Sequence, residues 1–137
     1  MNALLENARL TFRQIAQRVG ASAGTVMNRV KSLEKNGVIR KYSALVDYSK
    51  TDYPIEVLIN LRVHKGRFDQ LYEKLRDHPN VSGLYDVTGD YDSVVLARFK
   101  SVRSLNDFLK KAQKWEFVEK THTQTILGTV KEEETRL

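Results

Sequence analysis

The sequence has no cysteine in 137 residues, which excludes disulfides and thiolate metal sites and fits a reducing interior. It has no apolar run near the roughly 18 residues that a membrane-crossing helix needs. Residues 1–10 are too short and interrupted to read as a signal peptide. Its three histidines, His64, His78 and His122, are scattered without ligand spacing, so no metal site is expected. No phosphate-binding glycine series accompanies Gly89, and no cofactor is expected. Together these absences point to a cytoplasmic protein without a membrane partner. The length suits one medium domain or two small ones.

What the sequence does have is positive charge, unevenly placed. The formal net charge is +6. Residues 1–50 carry nine basic against three acidic residues, while residues 51–137 carry fourteen of each, so the whole surplus lies in the first third. A basic surplus confined to one segment is the electrostatic footprint of polyanion binding.

Within that segment, TFRQIAQRVGASAGTVMNRVKSLEKNGVI (residues 11–39) reads as two helices around a tight turn. Ile15, Ala16 and Val19 form one apolar face of the first helix. Thr11 and Gln14 have capping-box spacing, and Gly20 supplies a C-terminal stop. Ser22 caps a second helix that is expected to bury Val26, Val30 and Leu33 and to end at Asn36-Gly37. The opposite face holds Gly24, Thr25, Asn28, Lys31, Ser32 and Lys35, with Arg29 on its flank. Small and polar residues come first and cations follow, a surface suited to a major groove. An ordinary amphipathic hairpin with a solvated face is the plain alternative, but hairpin, caps and one-signed charge all agree.

Residues 1–8 read as the end of a short bracing helix with Leu4, Leu5 and Ala8 facing inward. After Gly37, Val38, Ile39, Leu45 and Val46 suggest a strand or linker. Domain boundaries are expected at residues 1–47, a linker at 48–54 closed by Pro54, and a second domain at 55–137. In that domain Ile55, Val57, Ile59, Leu61 and Val63 alternate as on a half-buried strand. Phe68, Leu71, Tyr72 and Leu75 follow at helical spacing, stopped near His78-Pro79. Strands are expected at 81–87 and 93–99, joined by the tight turn TGDYD (residues 88–92). Ser101 caps a helix carrying Leu105, Phe108, Leu109 and Ala112. Trp115 and Phe117 read as core or interface, residues 117–130 as a long last strand, and Glu132, Glu133 and Glu134 as a solvated tail.

The order βαββαβ forms a four-stranded antiparallel sheet with two helices on one face, a ferredoxin-like α+β domain. Its other face, with Leu58, Leu84, Val94, Leu96 and Ile126 as candidates, lacks a cover in a single copy. That argues for a two-fold dimer packed sheet to sheet, and paired recognition helices suit paired DNA half-sites about 34 Å apart.

SAGTVMNRVKSLEKNGVIRKY followed by a βαββαβ domain with TGDYD between its second and third strands resembles the Lrp/AsnC family of feast/famine regulators, over essentially the whole chain. The family's first helix usually starts upstream of Asn2, so either the start is misplaced or the brace is trimmed and the DNA-binding domain less stable. The resemblance implies a helix-turn-helix (winged-helix-like) domain joined to the ferredoxin-like domain. It also implies homodimers, often assembled into octamers, that bind and bend double-stranded DNA. Family effectors are amino acids bound between dimers, near the loop corresponding to residues 88–92. Gly89 permits close backbone approach there, Asp90 or Asp92 can accept from an ammonium, and Tyr91 offers an aromatic wall. Thr123 and Thr125 on the last strand are further candidates. A plain β-turn is the alternative for TGDYD.

The expected DNA-contacting residues are Ser22, Gly24, Thr25, Asn28, Arg29, Lys31, Ser32, Lys35, Arg40 and Lys41. Thr25, Asn28 and Ser32 are placed at base edges, Arg29 at guanine or phosphate, and Lys31, Lys35, Arg40 and Lys41 at phosphates. Two other functions are the alternatives: an architectural DNA-compacting protein, and a sirohaem-decarboxylase-like enzyme of the same two-domain build. The enzyme would not need the cationic helix.

Overall fold

The chain condenses around two separate cores, seen in a computed structural model that describes residues 1–133. One unit comprises Met1–Leu45 together with the described residues from Lys131, and the other comprises Val46–Val130.

The first unit is built from α1 (Asn2–Glu6), α2 (Phe12–Val19) and α3 (Ala23–Lys35). Local chemistry sets each boundary. Thr11 and Gln14 form the full capping box at the start of α2, satisfying backbone donors that would otherwise be orphaned. Gly20 ends α2 at φ +65°, a conformation costly for any residue with a Cβ. The Ser22 hydroxyl accepts from the Thr25 N–H at 3.1 Å and starts α3. Ile15, Ala16, Val26 and Val30 form the core, with Ala3, Leu4, Leu10, Ala21 and Ile39 packed against it.

Three expectations for this unit need correction, those for Val19, Leu33 and Ala8. Val19 is 55% exposed, because it is the last helical residue before the Gly20 turn and Ala21 packs on the core instead. Leu33 is only half-buried, and Ala8 is exposed because α1 stops at Glu6. Of the two alternatives for the segment after α3, a strand or a linker, no strand forms: Val38, Leu45 and Val46 are exposed, and only Ile39 reaches the core.

The second unit contains β1 (Ile55–Val63), α4 (Phe68–Leu75), β2 (Val81–Asp86), β3 (Ser93–Phe99), α5 (Val102–Ala112) and β4 (Val118–Thr125). The antiparallel sheet has the order β2-β3-β1-β4. Val57, Ile59, Leu61 and Val63 alternate inward on β1 and share one core with Leu71 and Leu75 of α4 and Leu105 and Phe108 of α5. Ser101 and Ser104 cap α5 reciprocally. Trp115 stacks on buried Phe117 at 5.6 Å between ring centroids.

Leu58, Val94 and Leu96 do lie on the face away from the helices, but Leu84 does not. The β2–β3 register slips between Val81 and Gly83, pairing Leu84 with Val95 instead of Val94 and turning it towards the helices. The last strand ends at Thr125, opposite Val57, with one further bond from the Ile126 N–H to the Glu56 carbonyl. Beyond it only Ile55 of β1 remains, so the expected extension to residue 130 does not form. On the same face, nearly buried Arg98 pairs with Glu56, donates to the Ser82 hydroxyl at 3.1 Å and lies 4.1 Å from the Tyr48 ring centre. Lys100 sits over Tyr53, so residues of the expected linker pack on the end of β3. Glu132 and Glu133 are exposed, whereas Glu134 lies outside the described residues.

Candidate nucleic-acid interface and effector site

The thirteen residues of α3 present the expected polar surface. Ser22, Gly24, Thr25, Asn28, Arg29, Lys31, Ser32 and Lys35 are all exposed, as are Arg40 and Lys41 beyond the helix. The Ser22 and Thr25 hydroxyls lie 2.9 Å apart, tied into the cap. Asn36 donates to Ser32 at 3.4 Å. Glu34, the one acid on α3, accepts from the Tyr42 hydroxyl at 2.9 Å. Partial desolvation, reinforced by Glu34, raises the Tyr42 pKa and keeps that phenol protonated. Among the described residues Arg29, Lys31, Lys35, Arg40 and Lys41 have no acidic partner. Gly24 is crowded by nothing inside the unit, since an added Cβ would meet only Ser22 Oγ at 3.9 Å.

The 88–92 turn is fastened to the end of β1. The Val87 N–H donates to the Asp92 carbonyl and the Asp92 N–H to the Leu61 carbonyl, both at 2.9 Å. Asp92 Oδ2 accepts from the Val63 N–H at 2.9 Å, and the Arg62 guanidinium donates to the Asp90 carbonyl. Gly89, at φ +117°, adopts a backbone conformation that L side chains rarely take.

The expected effector residues do not all converge within one chain. One oxygen of Asp92 is engaged with β1, whereas Asp90 is exposed. Tyr91 turns to β4, stacking with His122 at 6.1 Å under Lys120. Thr123 and Thr125 pair with Ile59 and Val57, two or more residues along β1 from the turn's anchor at Leu61, on the sheet face opposite His122.

The turn does flank a shallow cavity of about 280 Å³, lined by Phe68, Tyr72, Asp86, Val87 and Asp92. The Tyr72 hydroxyl donates to both Asp86 oxygens at 2.7 Å. That bond, before any effect of burial, pushes the Tyr72 pKa up to about 12. Tyr72 and Asp86 were absent from the expected site, because they lie fourteen residues apart on a helix and a strand. Only the packing of α4 on the sheet brings them together. Among the described residues no helix is long and apolar enough to cross a membrane.

Residues 56–136 match the family model described as the Lrp/AsnC ligand binding domain, and residues 1–40 match one for winged helix-turn-helix DNA binding. The chain belongs to the Lrp/AsnC family. It is a transcriptional regulator with a DNA-binding helix-turn-helix unit and a ligand-binding unit. It is 34% identical over 133 residues to an HTH-type transcriptional regulator of Pyrococcus furiosus, covering 97% of this chain and 90% of that one. It is 35% identical over 129 residues to the regulator FL11 of the same organism, covering 94% and 85% respectively. Among Lrp/AsnC structures, a feast or famine regulatory protein of M. tuberculosis, complexed with L-methionine, superposes with a TM-score of 0.89 at 26% identity. That match covers 98% of this chain and 92% of the other. E. coli AsnC shares the fold, with a TM-score of 0.86 at 22% identity, covering 98% and 91%.

Proposed function

We propose that α3 reads a specific duplex site in the cytoplasm and that a small effector such as an amino acid, bound beside the 88–92 turn, adjusts that recognition. The observation that carries the DNA half is the surface of α3, exposed and basic without acidic partners among the described residues. Thr25, Asn28 and Ser32 face base edges. Arg29 reaches guanine or phosphate, and Lys31, Lys35, Arg40 and Lys41 neutralise phosphates. Ser22 sets the start of the helix. Gly24 supports close approach, since glycine costs a helix about 1 kcal/mol relative to alanine and no internal contact demands it.

The effector half is supported by the ligand-binding family of the second unit and by the L-methionine complex of the M. tuberculosis relative. Gly89, Asp90 and Tyr91 form the mouth of the site, with Asp92 holding the turn. Thr123 and Thr125 take part only from another copy, as expected for a site between dimers. The sheet face bearing Leu58, Val94 and Leu96 is the dimer contact, and dimers associate further, as in an octamer. Binding alters DNA recognition only through unequal affinity for two assemblies or dimer arrangements.

Selecting bound fragments from genomic DNA, with and without amino acids, tests this directly. A regulator favours its site over unrelated DNA by roughly 10³-fold or more. Uniform retention of all fragments would identify an architectural protein instead. An unchanged size and DNA affinity with every amino acid would remove the effector half.

A further inference from the structure

We infer that the cavity beside the 88–92 turn selects an amino acid with a cationic side chain, an ammonium or a guanidinium, and that Asp86 is the group that reads it. This rests on the effector role proposed for the same turn and names the class of ligand.

The walls of the cavity are chemically one-sided. Phe68 and Tyr72, one helical turn apart on α4 with ring centroids 6.5 Å apart, form its aromatic side. Asp86 and Val87 at the end of β2, with Asp92 at the edge of β3, form the other. No lining residue is basic. Asp92 is committed to the Val63 N–H. Asp86 accepts only from neutral hydroxyls, that of Tyr72 at 2.7 Å and that of Ser93 at 3.5 Å. Hydroxyl donors orient a carboxylate without cancelling its charge, and no cation pairs with Asp86 among the described residues. Asp69, on α4, adds to the negative field around Tyr72.

A cation entering this space meets a carboxylate beside two aromatic rings, surroundings that favour positive charge. A neutral apolar side chain would cover Asp86 without replacing its water, which is unfavourable, and an acidic one would be repelled. The volume of about 280 Å³ falls below the roughly 300–1,000 Å³ of drug-sized sites, so it suits a single amino acid. Gly89 belongs to the same turn as Asp92 of the lining, and with no side chain and open space around it the backbone there is free for the close approach of a ligand's carboxylate.

Calorimetric titration of the full chain with arginine, lysine, methionine, leucine, glutamate and putrescine tests the assignment. Arginine or lysine is expected to bind best, and Asp86→Asn to weaken that binding by at least about tenfold. Tyr72→Phe keeps the aromatic wall and removes the phenol bond to Asp86, leaving only the long bond from Ser93, so cation binding should survive it, and thermal unfolding verifies that each variant is folded. Methionine or leucine binding in place of arginine and lysine would overturn the inference and leave the effector role standing. If no amino acid bound, the effector role itself would fall, and the inference with it. If Asp86→Asn weakened neutral and cationic amino acids alike, Asp86 would be reading the α-ammonium and the assignment would fail. Putrescine binding as tightly as lysine would exclude an amino acid as the ligand.

Discussion

The two units reach stability by different routes, and the contrast follows their tasks. The C-terminal unit closes a sheet and two helices over a core of twelve buried side chains, and its sequence carries balanced charge. The N-terminal unit buries four, and α2 and α3 leave most of their surface in water. It also holds nearly all of the chain's positive surplus, so self-repulsion opposes its compact state. A surface meant for a duplex has to stay polar and cationic, and polar surface adds nothing to a core. The unit that reads DNA is therefore the less buttressed one, and a bound polyanion offsets the repulsion that its own sequence creates.

The strongest way to sharpen this comparison is to damage the larger core. Leu71 is fully buried, and Leu71→Ala should cost about 2–5 kcal/mol in the C-terminal unit. The single tryptophan, Trp115, packs against that core, so its fluorescence in a urea titration reports on this unit alone. A midpoint unmoved by the substitution would show that the two units do not differ in the way described.

Substitutions on α3 should separate recognition from stability. Asn28→Ala is expected to lose about 1–3 kcal/mol of discrimination between matched and mismatched duplexes, measured by competition binding. Lys35→Ala should weaken all duplexes alike and flatten the log–log salt dependence by about one unit. If both acted equally on specific and random DNA, the division into base and phosphate contacts would be wrong.

A smaller effect tests how much the first unit leans on local chemistry. Ser22→Ala removes the α3 cap and should destabilise the N-terminal unit by about 1 kcal/mol, seen in far-UV circular dichroism melts. With only four buried side chains to offset that loss, the unit should melt earlier while the Trp115 transition stays in place.

The smallest expected effect is a pH dependence confined to the C-terminal unit. Burial, helped by nearby Lys111, lowers the His78 pKa from its usual 6.5. Nδ1 accepts from the Asn80 N–H at 3.2 Å, and the ring meets Phe108 edge-on at 5.1 Å. The folded chain therefore binds this proton less readily than the unfolded one. Stability should be full above about pH 6.5 and decline as pH falls towards the lowered folded value. His78→Leu should flatten that slope in unfolding titrations between pH 5 and pH 7, taken as a rough bracket around the usual histidine value.

Much of this architecture was legible from local patterns. The caps at Thr11, Ser22 and Ser101 are contacts between residues three apart, which sequence displays directly. The alternation along β1 exposed its buried face, and the order βαββαβ led to the observed four-stranded antiparallel sheet. What misled were positions where an element ends or slips. Val19 has the right helical phase but stands at the end of α2, and Leu84 has the right hydrophobicity but follows a bulge. The candidate effector residues were found as a turn motif, yet the motif alone did not show that Asp92 braces β1 or that Tyr91 leans on His122.

Residue order alone therefore determined which segments become helices and strands, where the capped helices start, and where the positive charge concentrates. Each of these depends on neighbours within a few positions, or on charge that no folding can remove. Only the tertiary structure decided that Asp86 meets Tyr72, that Arg98 meets Glu56 and Tyr48, and that Thr123 and Thr125 stand apart from the 88–92 turn. Those relations depend on strand register and on helix-to-sheet packing, which join residues far apart in the chain. A one-residue slip in register exchanges the two faces of a strand, and no local pattern records it.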